Sequence, residues 1–187
     1  MTESEDARAG REVLPLHWWY EDPERWQLLE FDEGHNGEGA PIDRLGRERQ
    51  QVLEMLARTT DRADADFARF LLAQEILRHG HCWSFNHSIE IAALLVAEHR
   101  DVSDIWLLWK AVCRSFDTWC GLPHRLLYAA GVAVTAEHVR SSTHPQRDGL
   151  LDLLNGLAGT TDEQVTRLLI ERRGYYRNIF DELHPPQ

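Results

Sequence analysis

Three histidines and one cysteine fall within a short segment, at His79, His81, Cys82 and His87. Imidazole and thiolate groups are ligands that zinc accepts in a tetrahedral site, so this segment is a candidate metal centre. The spacing matches neither a zinc finger nor a zinc ribbon. Histidines near the end of a helix also interact favourably with the helix dipole, so a structural role at a turn between two helices explains the same residues.

Two Glu-His dyads follow in the sequence, Glu98-His99 and Glu137-His138. Dyads repeated along stacked helices could place carboxylates and imidazoles around a pair of metal ions. In this respect the chain resembles deoxyhypusine hydroxylase, a HEAT-repeat enzyme whose His-Glu dyads hold iron. The dyad order is reversed here, and there are fewer dyads. The alternative function is therefore an enzyme that uses zinc, iron or a small molecule. Its site would draw on His79, His81, Cys82, His87, Glu98, His99, Glu137 and His138.

Nucleophilic catalysis has one candidate pair, Cys120 and His124. Cysteine-histidine catalysis requires the two side chains to meet beside a third, orienting group, and nothing in the sequence indicates one. Dinucleotide, phosphate-loop, nucleophile-elbow and HExxH motifs are also absent from the sequence. We therefore predict no catalytic residue and no cofactor, and we favour a function other than catalysis.

An imperfect internal repeat with a shift of 36 residues connects the candidate binding residues. Trp83 recurs as Trp119, and after one inserted residue His87 recurs as His124. Tryptophans in such helices are more often core residues, but tryptophan is seldom fully buried and is a frequent interface anchor, and packing does not explain the repeated histidine. If one face of the protein is a groove, we expect it to be lined by His87, Trp106, Trp109, Asp117, Trp119 and His124.

A period of this length, carried by helical patterns, is typical of stacked helix pairs. We predict seven or eight helices in an all-α fold of antiparallel pairs, HEAT-like or a related helical repeat. Residues 63–99 and 102–140 would form the repeat-bearing pairs, capped by helices at 43–58 and 147–181. Because the helix at 102–120 is apolar nearly all round, we expect it to be central and buried.

Before the helical body, residues 13–41 form an irregular aromatic segment and loop that we expect to pack on it, since so many apolar side chains are costly to leave in water. A short helix is expected from Pro23. Residues 1–12 are predicted to be disordered. We thus expect a single domain at 13–187, with the helical-repeat body at 42–187.

Charge and composition limit the classes of partner. The net charge is −11, and residues 1–40 hold eleven acidic residues against three arginines. Nucleic-acid binding is therefore not expected, because no basic patch could neutralise phosphates. The longest apolar run is too short for a membrane span. Three cysteines without paired spacing, Cys82, Cys113 and Cys120, are typical of a reduced, cytoplasmic chain.

These features favour a protein- or peptide-binding module in a bacterial-type cytoplasm, acting as an adaptor, inhibitor or immunity-type protein. The first alternative is the metal- or small-molecule-dependent enzyme described above. The second is a structural subunit of a larger assembly, which would include self-association.

Overall fold

The computed structural model describes residues 14–183, and the all-α class is confirmed, with helices packed against one another and an aromatic N-terminal segment. The prediction for residues 1–12 lies outside the described residues. None of the described helices combines the length and apolar character needed to cross a membrane.

The aromatic N-terminal segment packs on the helical body as expected. It contains α1 (Leu16–Tyr20) and a 3-10 helix that begins at Pro23 (Pro23–Leu29). Trp19 is buried with its ring parallel to that of Phe67, and Trp26 contacts the same phenylalanine. The following loop holds a short antiparallel hairpin that the sequence patterns did not reveal. Its strands are β1 (Glu33–His35) and β2 (Pro41–Asp43), with Gly34 opposite Ile42.

Eight further α-helices form the body. They are α2 (Gly46–Arg58), α3 (Ala65–His81), α4 (His87–Ala97), α5 (Ile105–Val112), α6 (Phe116–Gly121), α7 (Val132–Ser141), α8 (Arg147–Gly156) and α9 (Asp162–Leu183). Two more 3-10 helices cover Val102–Asp104 and His124–Tyr128. Helix α4 contacts α2, α3, α5 and α9, and α2 also packs against α9.

The most buried helix is α4, not the predicted helix at 102–120. Every residue of α4 from Ser88 to Ala97 is buried. The predicted helix is wrong as a single element, because the chain leaves helical geometry between α5 and α6. Ser115 has extended backbone there, and its hydroxyl accepts a hydrogen bond from the Thr118 N–H. The side chain of Phe116, within the helix that was expected to be buried, is 80% exposed. Apolar periodicity continued across this helix cap and hid it.

The two repeat-related segments therefore differ in backbone structure. The first is a pair of continuous helices, α3 and α4, joined by residues 82–86. The second is broken into α5, α6, a 3-10 helix and α7. Both still turn at equivalent positions. We call residues 82–88 the first turn and residues 119–124 the second turn.

Candidate functional site

His79 is a buried residue that connects helix α3 to the first turn through hydrogen bonds. It is buried, and its Nδ1 lies 2.9 Å from the Glu75 carbonyl oxygen, while its Nε2 accepts the Asn86 N–H at 3.2 Å. Nδ1 therefore carries the proton of a neutral ring. Burial is the main cause that lowers the pKa of His79, so the neutral form that both bonds require is favoured. Asn86 in turn caps α4 by accepting from the Ser88 N–H at 2.8 Å.

A buried ionic network fixes the helices under this turn. Arg49 and Glu75 are fully buried, and the Arg49 Nε donates to the Glu75 carboxylate at 2.7 Å. Arg49 also pairs with Asp43 and donates to the Leu29 carbonyl at 3.0 Å. The Ser88 hydroxyl donates to Glu75 as well. The network thus joins β2, α2, α3 and α4 at the base of the first turn.

His87 lies at the end of a second set of hydrogen-bonded side chains, which we call the His87 relay. The Tyr176 hydroxyl donates to the Glu90 carboxylate at 2.5 Å, and the Arg172 Nε donates to the other Glu90 oxygen at 2.6 Å. The His87 Nδ1 lies 3.1 Å from the Tyr176 oxygen. Because the tyrosine proton is already directed to Glu90, the His87 Nδ1 must be the donor, and in the neutral ring this leaves Nε2 as an acceptor. The His87 side chain is 63% exposed, so that acceptor is accessible to a ligand.

Burial, followed by the hydrogen bond to Glu90, raises the pKa of Tyr176. The phenol therefore stays protonated at neutral pH and keeps its bond to the carboxylate. This fixed direction of hydrogen bonding holds the orientation and tautomer of His87 in the same sense as an orienting residue holds a base in an enzyme.

A cleft of 260 Å³, which we call the His87 cleft, opens beside this histidine. Its walls combine apolar and aromatic side chains with several polar ones. The lining residues are Gln50, Glu54, Phe85, Asn86, His87, Ser88, Ile91, Tyr175, Tyr176, Ile179 and Phe180. An apolar cavity with a small number of oriented polar groups is the usual composition of a binding pocket.

The second turn carries the equivalent histidine in a simpler setting. The His124 Nε2 lies 2.8 Å from the Trp119 carbonyl oxygen, and the two rings are 4.8 Å apart. No carboxylate or hydroxyl contacts His124 among the hydrogen bonds of the described residues. Its hydrogen bond closes the turn on itself, so the imidazole is not part of a buried relay.

The two turns touch each other. A Cβ atom at Gly121 would lie 2.5 Å from the Phe85 ring, so glycine permits that ring to pack directly on the end of α6. Phe85 also contacts the His87 ring, at 5.4 Å, and lines the cleft. It therefore links the second turn to the His87 cleft.

Large aromatic side chains are exposed on these adjoining segments. Trp83 is 88% exposed and Phe116 80%, and Trp119 is exposed in part. We call these three residues the turn face. Large aromatic side chains exposed to this extent are frequent at interaction sites.

The structure brings together several of the residues predicted from sequence. His87, Trp119 and His124 lie at the two turns, and Asp117 is exposed in the first turn of α6. Trp109 is buried beneath this region, with its ring 6.2 Å from that of Trp119. Trp106 stacks on His144, with the two ring centroids 3.9 Å apart.

The residues of the metal alternative occupy separate places. Both ring nitrogens of His79 bond to the protein, and His81 Nε2 lies 3.2 Å from the Gly34 carbonyl of the hairpin. Burial raises the pKa of the Cys82 thiol, which disfavours the thiolate. Within residues 14–183 the structure contains no group of three or more His, Cys, Asp or Glu side chains arranged to hold a metal ion.

The Glu-His dyads do not face each other. Glu98 pairs with Arg173 at 3.1 Å, whereas Glu137 pairs with Arg140 on α7 at 2.6 Å. The His99 Nε2 is buried without a hydrogen-bond partner among the described residues. His138 lies next to Glu137 on α7, which is a separate helix from α4.

Three members of the His87 relay were missed at the level of sequence, namely Glu90, Arg172 and Tyr176. Glu90 did carry a signal, because it interrupts the apolar run of α4 and is itself buried. Such a carboxylate requires a cation or donor from another element. Arg172 and its neighbour Arg173 supply such cations, to Glu90 and Glu98.

The chain matches no protein-family model, and comparisons with curated proteins and with solved structures found no significant similarity.

Proposed function

We propose that the protein binds a segment of a partner protein across the turn face, with an apolar side chain of that segment in the His87 cleft. The observation that carries this proposal is the exposure of Trp83 and Phe116, at 88% and 80%, on segments next to the cleft. Aromatic side chains left in water at this extent are costly in a monomer and are the residues most often found as interface anchors.

The binding free energy requires contacts at both the turn face and the His87 cleft. A buried aromatic side chain removes about 150 Å² or more from water, which is worth about 4 kcal/mol. Association itself costs roughly 4–15 kcal/mol. Trp83 and Phe116 together therefore leave little surplus, and useful affinity needs the additional apolar contact that the His87 cleft provides.

The His87 Nε2 sets a chemical preference within that cleft. As an accessible acceptor on an oriented ring, it favours a ligand segment with an N–H or O–H donor beside its apolar side chain. The net charge of −11 adds a long-range attraction for basic flanking residues. The partner segment we propose is therefore apolar at its centre, carries a donor next to the anchor, and is basic at its ends.

The test is selection of short random peptides on the immobilised wild-type protein, followed by titration of the selected peptides against variants. We expect a recurrent apolar residue with neighbouring donor and basic residues. Affinity should fall at least about tenfold in the double variant Trp83→Ser/Phe116→Ser. Val134→Ser, which changes a half-exposed valine on α7, is the matched control and should bind normally.

Circular dichroism on both variants would establish that they fold. Failure to select any saturable peptide, or equal affinity of the selected peptides for all three proteins, would overturn the proposal.

A further inference from the structure

Helix α9 presents two neighbouring stripes to the rest of the molecule. One stripe, with Tyr175, Tyr176 and Ile179, lines the His87 cleft. The other faces a separate cavity of 420 Å³ at the ends of α2 and α4. The residues that line this second cavity are Thr59, Thr60, Arg62, Glu98, Arg100, Thr166, Leu169, Ile170, Arg173 and Arg177. We call it the arginine pocket.

The charge of the arginine pocket is opposite to that of the chain. Four arginines and one glutamate line it, which gives a formal charge of +3 (four minus one) in a protein whose net charge is −11. Guanidinium groups clustered in one concavity repel one another, and the wall around them concentrates the field. An arrangement of this kind favours a bound anion.

Two of the four arginines have structural partners. The Arg173 Nη1 donates to Glu98 at 3.1 Å, and its Nη2 donates to the Leu56 carbonyl at 2.6 Å and the Thr59 carbonyl at 3.1 Å. It thus satisfies carbonyl groups at the C-terminal end of α2 and forms the floor of the pocket. Arg100 donates to the Thr166 hydroxyl at 2.9 Å.

Arg62 and Arg177 differ from these. Within residues 14–183, neither guanidinium group takes part in a recorded hydrogen bond or salt bridge. Each acts on the pocket through its charge, Arg62 on Glu98 and Arg177 on Arg173. Two such guanidinium groups beside a cationic cavity can each donate two parallel hydrogen bonds to an oxyanion.

We propose that the arginine pocket binds a small, multiply charged oxyanion, either a phosphate ester or a polycarboxylate, through Arg62, Arg100 and Arg177. A single carboxylate would neutralise only part of the local charge of +3. The cavity, at 420 Å³, is within the usual range for an organic ligand and larger than one phosphate group requires. Leu169 and Ile170 provide an apolar wall for the body of such a ligand.

Protonation of Glu98 would make the charge of the arginine pocket more positive. Burial raises the pKa of Glu98, while Arg173 opposes that rise. Protonation of this carboxyl group would remove the one negative charge among the side chains that line the pocket.

The experiment is isothermal titration with inorganic phosphate, pyrophosphate and citrate, at an ionic strength held constant with chloride. Pyrophosphate or citrate should bind the wild-type protein saturably. Stronger binding of pyrophosphate would favour a ligand with phosphoryl groups, and stronger binding of citrate would favour a polycarboxylate. The double variant Arg62→Gln/Arg177→Gln should weaken binding by about tenfold or more.

The matched control is Arg140→Gln/Arg147→Gln, which removes the same charge from exposed arginines outside the pocket. It should retain wild-type affinity. The proposal would be overturned if neither anion bound more tightly than chloride, or if the two double variants lost affinity equally. Peptide binding at the turn face is measured separately, so either proposal can fail without the other.

Discussion

The first and second turns begin from related sequence and end in different environments. Trp83 and Trp119 both lie at the surface, but His87 and His124 have different hydrogen-bond partners. His87 is oriented by Tyr176, which bonds to the buried Glu90, whereas His124 bonds to a backbone carbonyl of its own turn. The repeat thus supplies an exposed tryptophan at each turn, and only the first turn adds an oriented side-chain acceptor.

The supports beneath the turns differ in the same way. The first turn rests on a buried ionic network around Glu75 and Arg49. The second rests on the capping box of Ser115 and Thr118 and on the contact of Gly121 with Phe85. An oriented polar site costs desolvation and needs buried partners, while a turn that only exposes an aromatic ring needs none. The following variants should separate the two turns.

The largest effect is expected from Arg49→Leu. It leaves the buried Asp43 carboxylate without a cation and leaves Glu75 with only its longer contact to Arg78, at 3.5 Å, so unfolding free energy should fall by about 3–5 kcal/mol. Hydrogen exchange should accelerate in residues 82–88 more than in residues 119–124. Arg140→Leu, at an exposed ion pair, is the control and should change stability by less than about 1 kcal/mol. Equal acceleration at both turns would argue against separate supports.

Tyr176→Phe should have the next largest effect. The buried Glu90 carboxylate loses a donor, which should cost about 1.5–3 kcal/mol in chemical denaturation. His87 also loses the oxygen that fixes its tautomer. Nitrogen chemical shifts of the His87 ring should therefore move toward the Nε2–H form, with no change at His124. If the His87 tautomer were unchanged, Tyr176 would not be its orienting group.

Gly121→Ala should connect the two turns through a clash. The added methyl group would overlap the Phe85 ring, and overpacking should cost about 1–2 kcal/mol because the ring can shift only in part. Peptide binding in the His87 cleft should weaken as Phe85 moves. Gly174→Ala is the matched control, since no atom lies near its Cβ position, and it should stabilise α9 by about 0.5–1 kcal/mol. Unchanged peptide affinity in Gly121→Ala would show that the second turn does not shape the cleft.

A smaller effect should depend on pH at His79. Its pKa is lowered in the folded protein, so the unfolded chain binds the proton more readily, and stability should decline as the pH falls below about 6.5. His79→Gln should be less stable than wild type at pH 7 and should lose less on acidification. The check is urea denaturation of both proteins between neutral and mildly acidic pH. Parallel pH profiles would mean that His79 does not titrate differently on folding.

Local sequence patterns predicted much of the fold. Apolar periodicity and caps located most helices to within a few residues. The same periodicity failed between α5 and α6, where one hydroxyl cap outweighs a continuous apolar pattern. Short-range signals are therefore sufficient where they agree and ambiguous where they compete.

The candidate site was only half predictable. The repeat indicated both turn histidines and Trp119, because repetition at a fixed spacing is visible in the sequence. The partners of His87 were not visible, since Tyr176 lies 89 residues further along the chain. The same holds for Arg49 and Glu75, which are 26 residues apart. Pairing of buried charges between distant helices is decided by tertiary packing, which periodicity does not encode.

The affinity of a selected peptide for His87→Ala, compared with its affinity for His124→Ala, tests most directly whether the first turn carries the binding site. We expect His87→Ala to weaken binding by about tenfold and His124→Ala to change it by less than about twofold. Equal losses in the two variants, or a greater loss in His124→Ala, would contradict the assignment of the site to the His87 cleft.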